Sequence, residues 1–137
     1  MQVGRDVEEL YEAAKKAIVN SYAPYSKFRV SAAVRGGSGK IYTGVNVENA
    51  SYGLTVCAER VAIFKAVSEG ERFVKDVLVY TESELDKPVA PCGACRQVIA
   101  EFNPNARVII ADKKGIKGVY SLKELLPLAF TPDYLIK

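Results

Sequence analysis

Two apolar runs decide the fold: Val74-Lys75-Asp76-Val77-Leu78-Val79-Tyr80 and Arg107-Val108-Ile109-Ile110-Ala111-Asp112. Each has strand length. Between them lie the charged stretch Thr81–Pro91, with two prolines, and a helical pattern from about Cys92 to Phe102 that Asn103-Pro104 ends. Strand, helix, strand in that order requires parallel pairing of the two runs, because a tight turn cannot return a chain to a parallel neighbour.

Working outward, Phe28, Val30, Ala32 and Val34 alternate with Arg29, Ser31, Ala33 and Arg35, which predicts a strand beginning at Phe28. Gly36-Gly37-Ser38-Gly39 turns the chain, and Lys40 to about Val47 returns as the second arm of a hairpin. Residues 49–56 form a polar connection. A helix follows from near Cys57 to Glu69, stopped by Gly70. Beyond Asp112, Lys113-Lys114-Gly115 is a turn, Gly118-Val119-Tyr120 a short last strand, and Ser121-Leu122-Lys123-Glu124 the capped start of a short helix. At the other end, Asp6-Val7-Glu8-Glu9 reads as an N-cap, and Val7, Leu10, Tyr11, Ala14, Ala17 and Ile18 recur at helical spacing over residues 6 to about 20. The expected architecture is α/β: a three-layer α/β/α sandwich around a mixed five-stranded sheet, with antiparallel edges and a parallel centre. Residues 1–137 are expected to form one domain.

Composition narrows the function. An apolar share of 49% and a charged share of 26% are ordinary for a globular domain. A net charge of +3, with no Lys/Arg run longer than two residues, gives no footprint for nucleic acid or an anionic membrane. The N-terminus lacks the apolar core of a signal peptide, and no run has transmembrane length. Three cysteines, two of them in Cys-x-x-Cys spacing, suit a reducing compartment and metal or redox use. The expected location is cytoplasmic.

The chain has no histidine. That excludes Ser-His and Cys-His nucleophile pairs and leaves carboxylates as the general acid/base groups near neutral pH. The cysteines stand in Cys57-Ala58-Glu59-Arg60 and Pro91-Cys92-Gly93-Ala94-Cys95, each group at the expected start of a helix, where free backbone N–H groups favour thiolates. Cys57, Cys92 and Cys95 can supply three of the four positions of a tetrahedral Zn²⁺ ion, one per chain, with the fourth left for water. Glu59, two residues from one ligand, is then the candidate proton carrier. Three thiolates on Zn²⁺ leave a net negative charge. Arg60, three residues after Cys57, can offset it by hydrogen-bonding sulfur. Thioredoxin-like redox motifs also use Cys-x-x-Cys, but need neither a third cysteine nor Cys-Ala-Glu. A structural zinc site needs a fourth Cys or His, which this chain does not have.

First-ligand-x-Glu followed by Pro-Cys-x-x-Cys is the signature of the zinc deaminases. More narrowly, the chain resembles the small, homotetrameric class of cytidine deaminases. The likeness runs through Tyr25–Ala33, Gly44-Val45-Asn46-Val47-Glu48-Asn49-Ala50-Ser51-Tyr52-Gly53, the two zinc elements with Arg96-Gln97, and Leu125–Phe130. Ser31 stands where that family usually has glycine. The resemblance implies hydrolytic deamination of cytidine and 2′-deoxycytidine in pyrimidine salvage, on a free nucleoside and with no nucleic-acid or membrane partner. It implies that Asn46 and Glu48 hold the ribose 3′-hydroxyl, that Phe28 lies beside the nucleoside, and that the Ala58 N–H meets the pyrimidine 2-oxo group. It also implies that Ala50, Tyr52 and Phe130 act in a neighbouring subunit's site. Deamination of a blasticidin-type nucleoside and nucleic-acid editing use the same zinc elements. Glu48 argues against the first, and the small net charge against the second.

Overall fold

A computed structural model describes residues 4–84 and 90–135. The expectations for the extreme N-terminus and for the middle of the Thr81–Pro91 loop fall partly outside the described residues. Nine principal elements follow in order: α1 (Arg5–Ala17), β1 (Val30–Gly36), β2 (Ile41–Val45), α2 (Ala58–Ser68), β3 (Val74–Thr81), α3 (Gly93–Phe102), β4 (Arg107–Asp112), β5 (Gly115–Ser121) and α4 (Leu122–Leu125). The strands form one sheet in the order β2-β1-β3-β4-β5. β3 and β4 pair in parallel, Val77 opposite Val108, and the other three pairs are antiparallel. This is the expected mixed five-stranded sheet.

Helices cover both faces. Val7, Leu10, Ala14 and Ile18 of the first helical segment pack on Ala33, Leu78, Tyr80, Ile109 and Ala111. On the opposite face, α2 and α3 bring Ala58, Ala62, Ile63, Ile99 and Ala100 against Ala32, Val34, Val77 and Val108. β1 lies inside the sheet, so its residues are buried on both sides. Ser31 accordingly faces α1 and not solvent, and its hydroxyl donates to the Ala14 carbonyl at 2.6 Å. That bond satisfies the buried hydroxyl.

Several expected boundaries move. Asp6 does not cap α1: the helix starts at Arg5 with Gly4 as N-cap, and the Asp6 carboxylate takes an ion pair from Arg107 at 2.6 Å. β1 starts at Val30 and not Phe28, because the Asn46 amide occupies the Phe28 carbonyl and the Val30 N–H. β2 stops at Val45, although Val47 bridges Tyr22 on one side and Val56 on the other. β5 runs seven residues, longer than its weak pattern suggests, because β4 pairs with it from Gly115 to Ser121, with one irregularity that skips Lys117. Gly70 ends α2 with φ +106, and Ser121 and Glu124 form a reciprocal capping box on α4, both as expected.

Two features set the height of α2 above the sheet. A Cβ at Gly44 would lie 2.6 Å from the Ala58 carbonyl oxygen and closer still to the Ala62 nitrogen. Glycine thus lets helix backbone rest on strand backbone. The paired Val47–Val56 segment then leads directly into Cys57.

Candidate active site

Cys57 and Cys92 are the N-cap residues of α2 and α3, and Cys95 lies in the first turn of α3. Their sulfurs all fall within 4.8 Å of one another, with Cys92 Sγ 3.6 Å from Cys95 Sγ. Sulfurs bound to one zinc at about 2.3 Å in tetrahedral geometry stand roughly 3.8 Å apart, so the set fits that ion. Two of the thiols, Cys57 and Cys95, pull each other's acidity in opposite directions. Cys57 is drawn down to about 5, chiefly by the hydrogen bond from Cys95 and further by Arg60. Cys95 moves the opposite way, held protonated by its bond to Cys57 and by burial. A metal ion held by the three cysteines would require them as thiolates and would displace such protons.

Arg60 brings a guanidinium nitrogen to 3.7 Å from Cys57 Sγ, the contact expected from its place one turn on. Its Nε is buried without a hydrogen-bond partner. Its charge lies beside Cys57 and is among the effects that lower the pKa of that thiol.

A cavity of about 300 Å³ opens onto this cluster. Cys57, Cys92 and Glu59 line it together with the apolar Val30, Val79 and Ile110. Glu59 is 5% exposed, and burial raises its pKa, with the nearby Cys57 charge acting in the same direction. Ala58, the first residue of α2, lines the same space. Its N–H lies in the turn where a helix has no carbonyl four residues back to receive it.

Phe28, Asn46 and Glu48 also line the cavity. Phe28 is 42% exposed and lies outside the core, although it opens the apolar alternation of the expected strand. Asn46 is buried. Its Oδ1 accepts from Ser21 and from Val30 N, and its Nδ2 donates to Phe28 O at 2.8 Å. Glu48 accepts from Tyr25 N at 2.9 Å, from Ser26 N at 3.1 Å and from the Ser26 hydroxyl, and the Ser26 bond leads the effects that lower its pKa.

The remaining candidates do not line this cavity, although Tyr52 lines an adjoining hollow with Tyr25 and with Ser26, Glu48 and Thr55, which the two share. Tyr52 is 76% exposed and meets Tyr25 edge-on at 6.1 Å. Ala50 is exposed. Phe130 is 56% exposed and stacks on Tyr134. Sequence reasoning gave no role to Ser21, Ser26, Arg96 or Gln97, which the structure ties to site segments. Their partners are backbone groups or distant side chains, which leave no local spacing to read.

Residues 5–111 match the family described as "Cytidine and deoxycytidylate deaminase zinc-binding region". The chain is 49% identical over 131 residues to a cytidine deaminase of Sporosarcina psychrophila, covering 95% of each chain. A cytidine deaminase of Burkholderia pseudomallei, solved as a crystal structure, superposes with TM-score 0.83 at 47% identity, over 90% of this chain and 98% of that one. A blasticidin-S deaminase of Bacillus cereus is more distant, 34% identical over 129 residues, with 90% of this chain and 91% of that one covered. The chain belongs to the cytidine and deoxycytidylate deaminase family. Its cofactor is zinc.

Proposed function

We propose that the chain, as one domain over residues 1–137, hydrolyses cytidine and 2′-deoxycytidine to uridine and 2′-deoxyuridine with release of ammonia, in pyrimidine salvage. One observation carries this reading: the buried Glu59 carboxyl lines the same cavity as the Cys57 and Cys92 sulfurs. Cys57, Cys92 and Cys95 hold one zinc ion per chain. Bound zinc supplies a Lewis acid that brings the acidity of water toward neutral pH.

Glu59 moves the protons. It takes one from the water whose oxygen bonds to C4 and passes it to ring N3. It then takes the second water proton and gives it to the amino group, which leaves as ammonia. A carboxyl whose pKa is raised by burial is suited to both halves of this exchange. Ala58 N–H donates to the 2-oxo group, and Phe28 flanks the nucleoside. Glu48, fixed by Tyr25 and Ser26, accepts from the ribose 3′-hydroxyl. Three of Asn46's four hydrogen-bonding positions are occupied by Ser21, Val30 and Phe28, so it has one amide hydrogen left for the sugar.

The active form in this reading is a homotetramer in which Ala50, Tyr52 and Phe130 complete neighbouring sites. The exposure of Tyr52, Leu54, Leu128 and Phe130, large side chains outside the principal helices and strands, supports it. Among the described residues no helix is long and apolar enough to cross a membrane. A cytoplasmic location with no nucleic-acid partner agrees with that and with the modest charge.

Elemental analysis, light scattering and ultraviolet monitoring of cytidine conversion on one preparation test the reading together. The expected result is about one zinc per chain, a tetramer, and turnover of both nucleosides, with free cytosine and blasticidin S far poorer substrates. Zinc-loaded protein that leaves cytidine unchanged would overturn it.

A further inference from the structure

The helix that carries Cys92 and Cys95 turns its next two residues to a different part of the molecule. Arg96 donates through Nε to Pro91 O at 2.6 Å and through a terminal nitrogen to Leu125 O at 2.7 Å. Gln97 Nε2 donates to Phe130 O at 2.8 Å. Leu125 and Phe130 bracket a short arm whose Leu126 and Ala129 pack against the core. Between the brackets, Leu128 holds a left-handed φ of 56° while its side chain is 99% exposed. A leucine in that conformation is strained, and such strain persists only where its surroundings over-determine the backbone. The bond from Gln97 fixes the far end of this strained turn. It holds the residue whose ring projects outward, stacked on Tyr134 at 5.4 Å.

We infer that Gln97 is a positioning residue for the nucleoside site, presenting the Phe130 ring to a neighbouring copy by holding its carbonyl. This rests on the reading above that Phe130 completes a neighbour's site. Gln97 touches neither substrate nor reacting atoms and acts through the arm. Without its donor, the turn at Leu128 can relax and residue 130 loses its fixed place. The ring must then be ordered each time a nucleoside binds. The cost falls on binding, not on the chemical step.

Steady-state kinetics with cytidine on four variants of the full chain test this: Gln97→Ala, Gln97→Glu, Phe130→Ala and the Gln97→Ala/Phe130→Ala double variant. Losing one hydrogen bond should raise KM in Gln97→Ala roughly two- to tenfold, with kcat and zinc content at parental values. Gln97→Glu keeps the length without the donor and should do at least as much. In the Phe130→Ala background, Gln97→Ala should change KM no further. Parental KM in Gln97→Ala or Gln97→Glu would overturn the inference, as would lost zinc or KM effects that multiply in the double variant. Phe130→Ala with parental KM would overturn the cross-subunit reading itself, and this inference with it.

Discussion

Gly44 of β2 is in backbone contact with Ala58, the first residue of α2: a side chain at position 44 would begin 2.6 Å from the Ala58 carbonyl oxygen. The helix start that carries Cys57 and Glu59 on either side of Ala58 is therefore seated directly on a strand. Its height above the sheet is set by the absence of one methyl group.

Gly44→Ala should then damage fold and site together. Neither contacting group is a flexible side-chain end, so α2 must lift. Overpacking of this kind costs about 1–3 kcal/mol. Thermal unfolding should show a lowered midpoint, and the folded fraction should bind zinc less tightly in a chelator competition. Parental stability and parental zinc affinity together would contradict the seating role.

Glu59→Gln separates proton transfer from metal binding. The amide keeps the shape of the carboxyl and cannot carry a proton, while the three cysteines remain. Turnover should fall at least about 10²–10⁴-fold, the usual contribution of a general acid/base group, with zinc content unchanged. Turnover of cytidine by zinc-loaded Glu59→Gln within tenfold of the parent would remove Glu59 from the mechanism.

The same residues show what a sequence discloses. The metal cluster was legible because thiols are scarce and chemically distinctive, and because the absence of histidine leaves few other soft ligands. The layers were legible because Val7, Leu10, Ala14 and Ile18 keep one helical face, and because apolar β3 and β4 flank a helix. What was not legible depends on partners distant in the chain. Asp6 looks like a cap until Arg107, 101 residues on, takes its carboxylate. Phe28 looks like core until the Asn46 amide ends the strand short of it. The burial of Ser31 under α1 follows from the place of β1 inside the sheet, and no local alternation reveals strand order. Arg96 and Gln97 bond to carbonyls 29 and 33 residues away, and a carbonyl is the same at every residue.

Stability in acid should depend on Glu71. Its buried carboxylate accepts from Ser38 N, the Ser38 hydroxyl and Tyr42 OH, with Lys40 nearby, and the Ser38 hydroxyl leads the effects that hold its pKa low. A depressed carboxyl pKa stabilises the fold above the unfolded value, about 4.3, and that contribution is lost as pH falls through the folded value. Glu71→Gln should thus be less stable than the parent at pH 7, and the gap should close as pH falls below about 4. Denaturant unfolding across that range measures it. A gap that is constant or widens in acid would contradict the assignment.

Glu48 does two things at once, and two substitutions separate them. Its carboxylate holds the turn at Tyr25 and Ser26 and lines the cavity where the sugar is proposed to sit. Glu48→Gln keeps an acceptor oxygen and the side-chain volume, so the turn should survive while the charge that strengthens the bond to the 3′-hydroxyl is lost. Glu48→Ala releases the turn as well. A hydrogen bond to a charged group is worth about 1.5–3 kcal/mol, or roughly ten- to a hundredfold. In kcat/KM for cytidine, Glu48→Gln should lose about that factor and Glu48→Ala more. A nucleoside lacking the 3′-hydroxyl supplies the control: the parent should handle it poorly, and Glu48→Gln should make it little worse. If the charge instead serves the turn alone, Glu48→Gln will lower turnover of both nucleosides by the same factor. Equal losses would place Glu48 in the scaffold and leave the ribose to other groups.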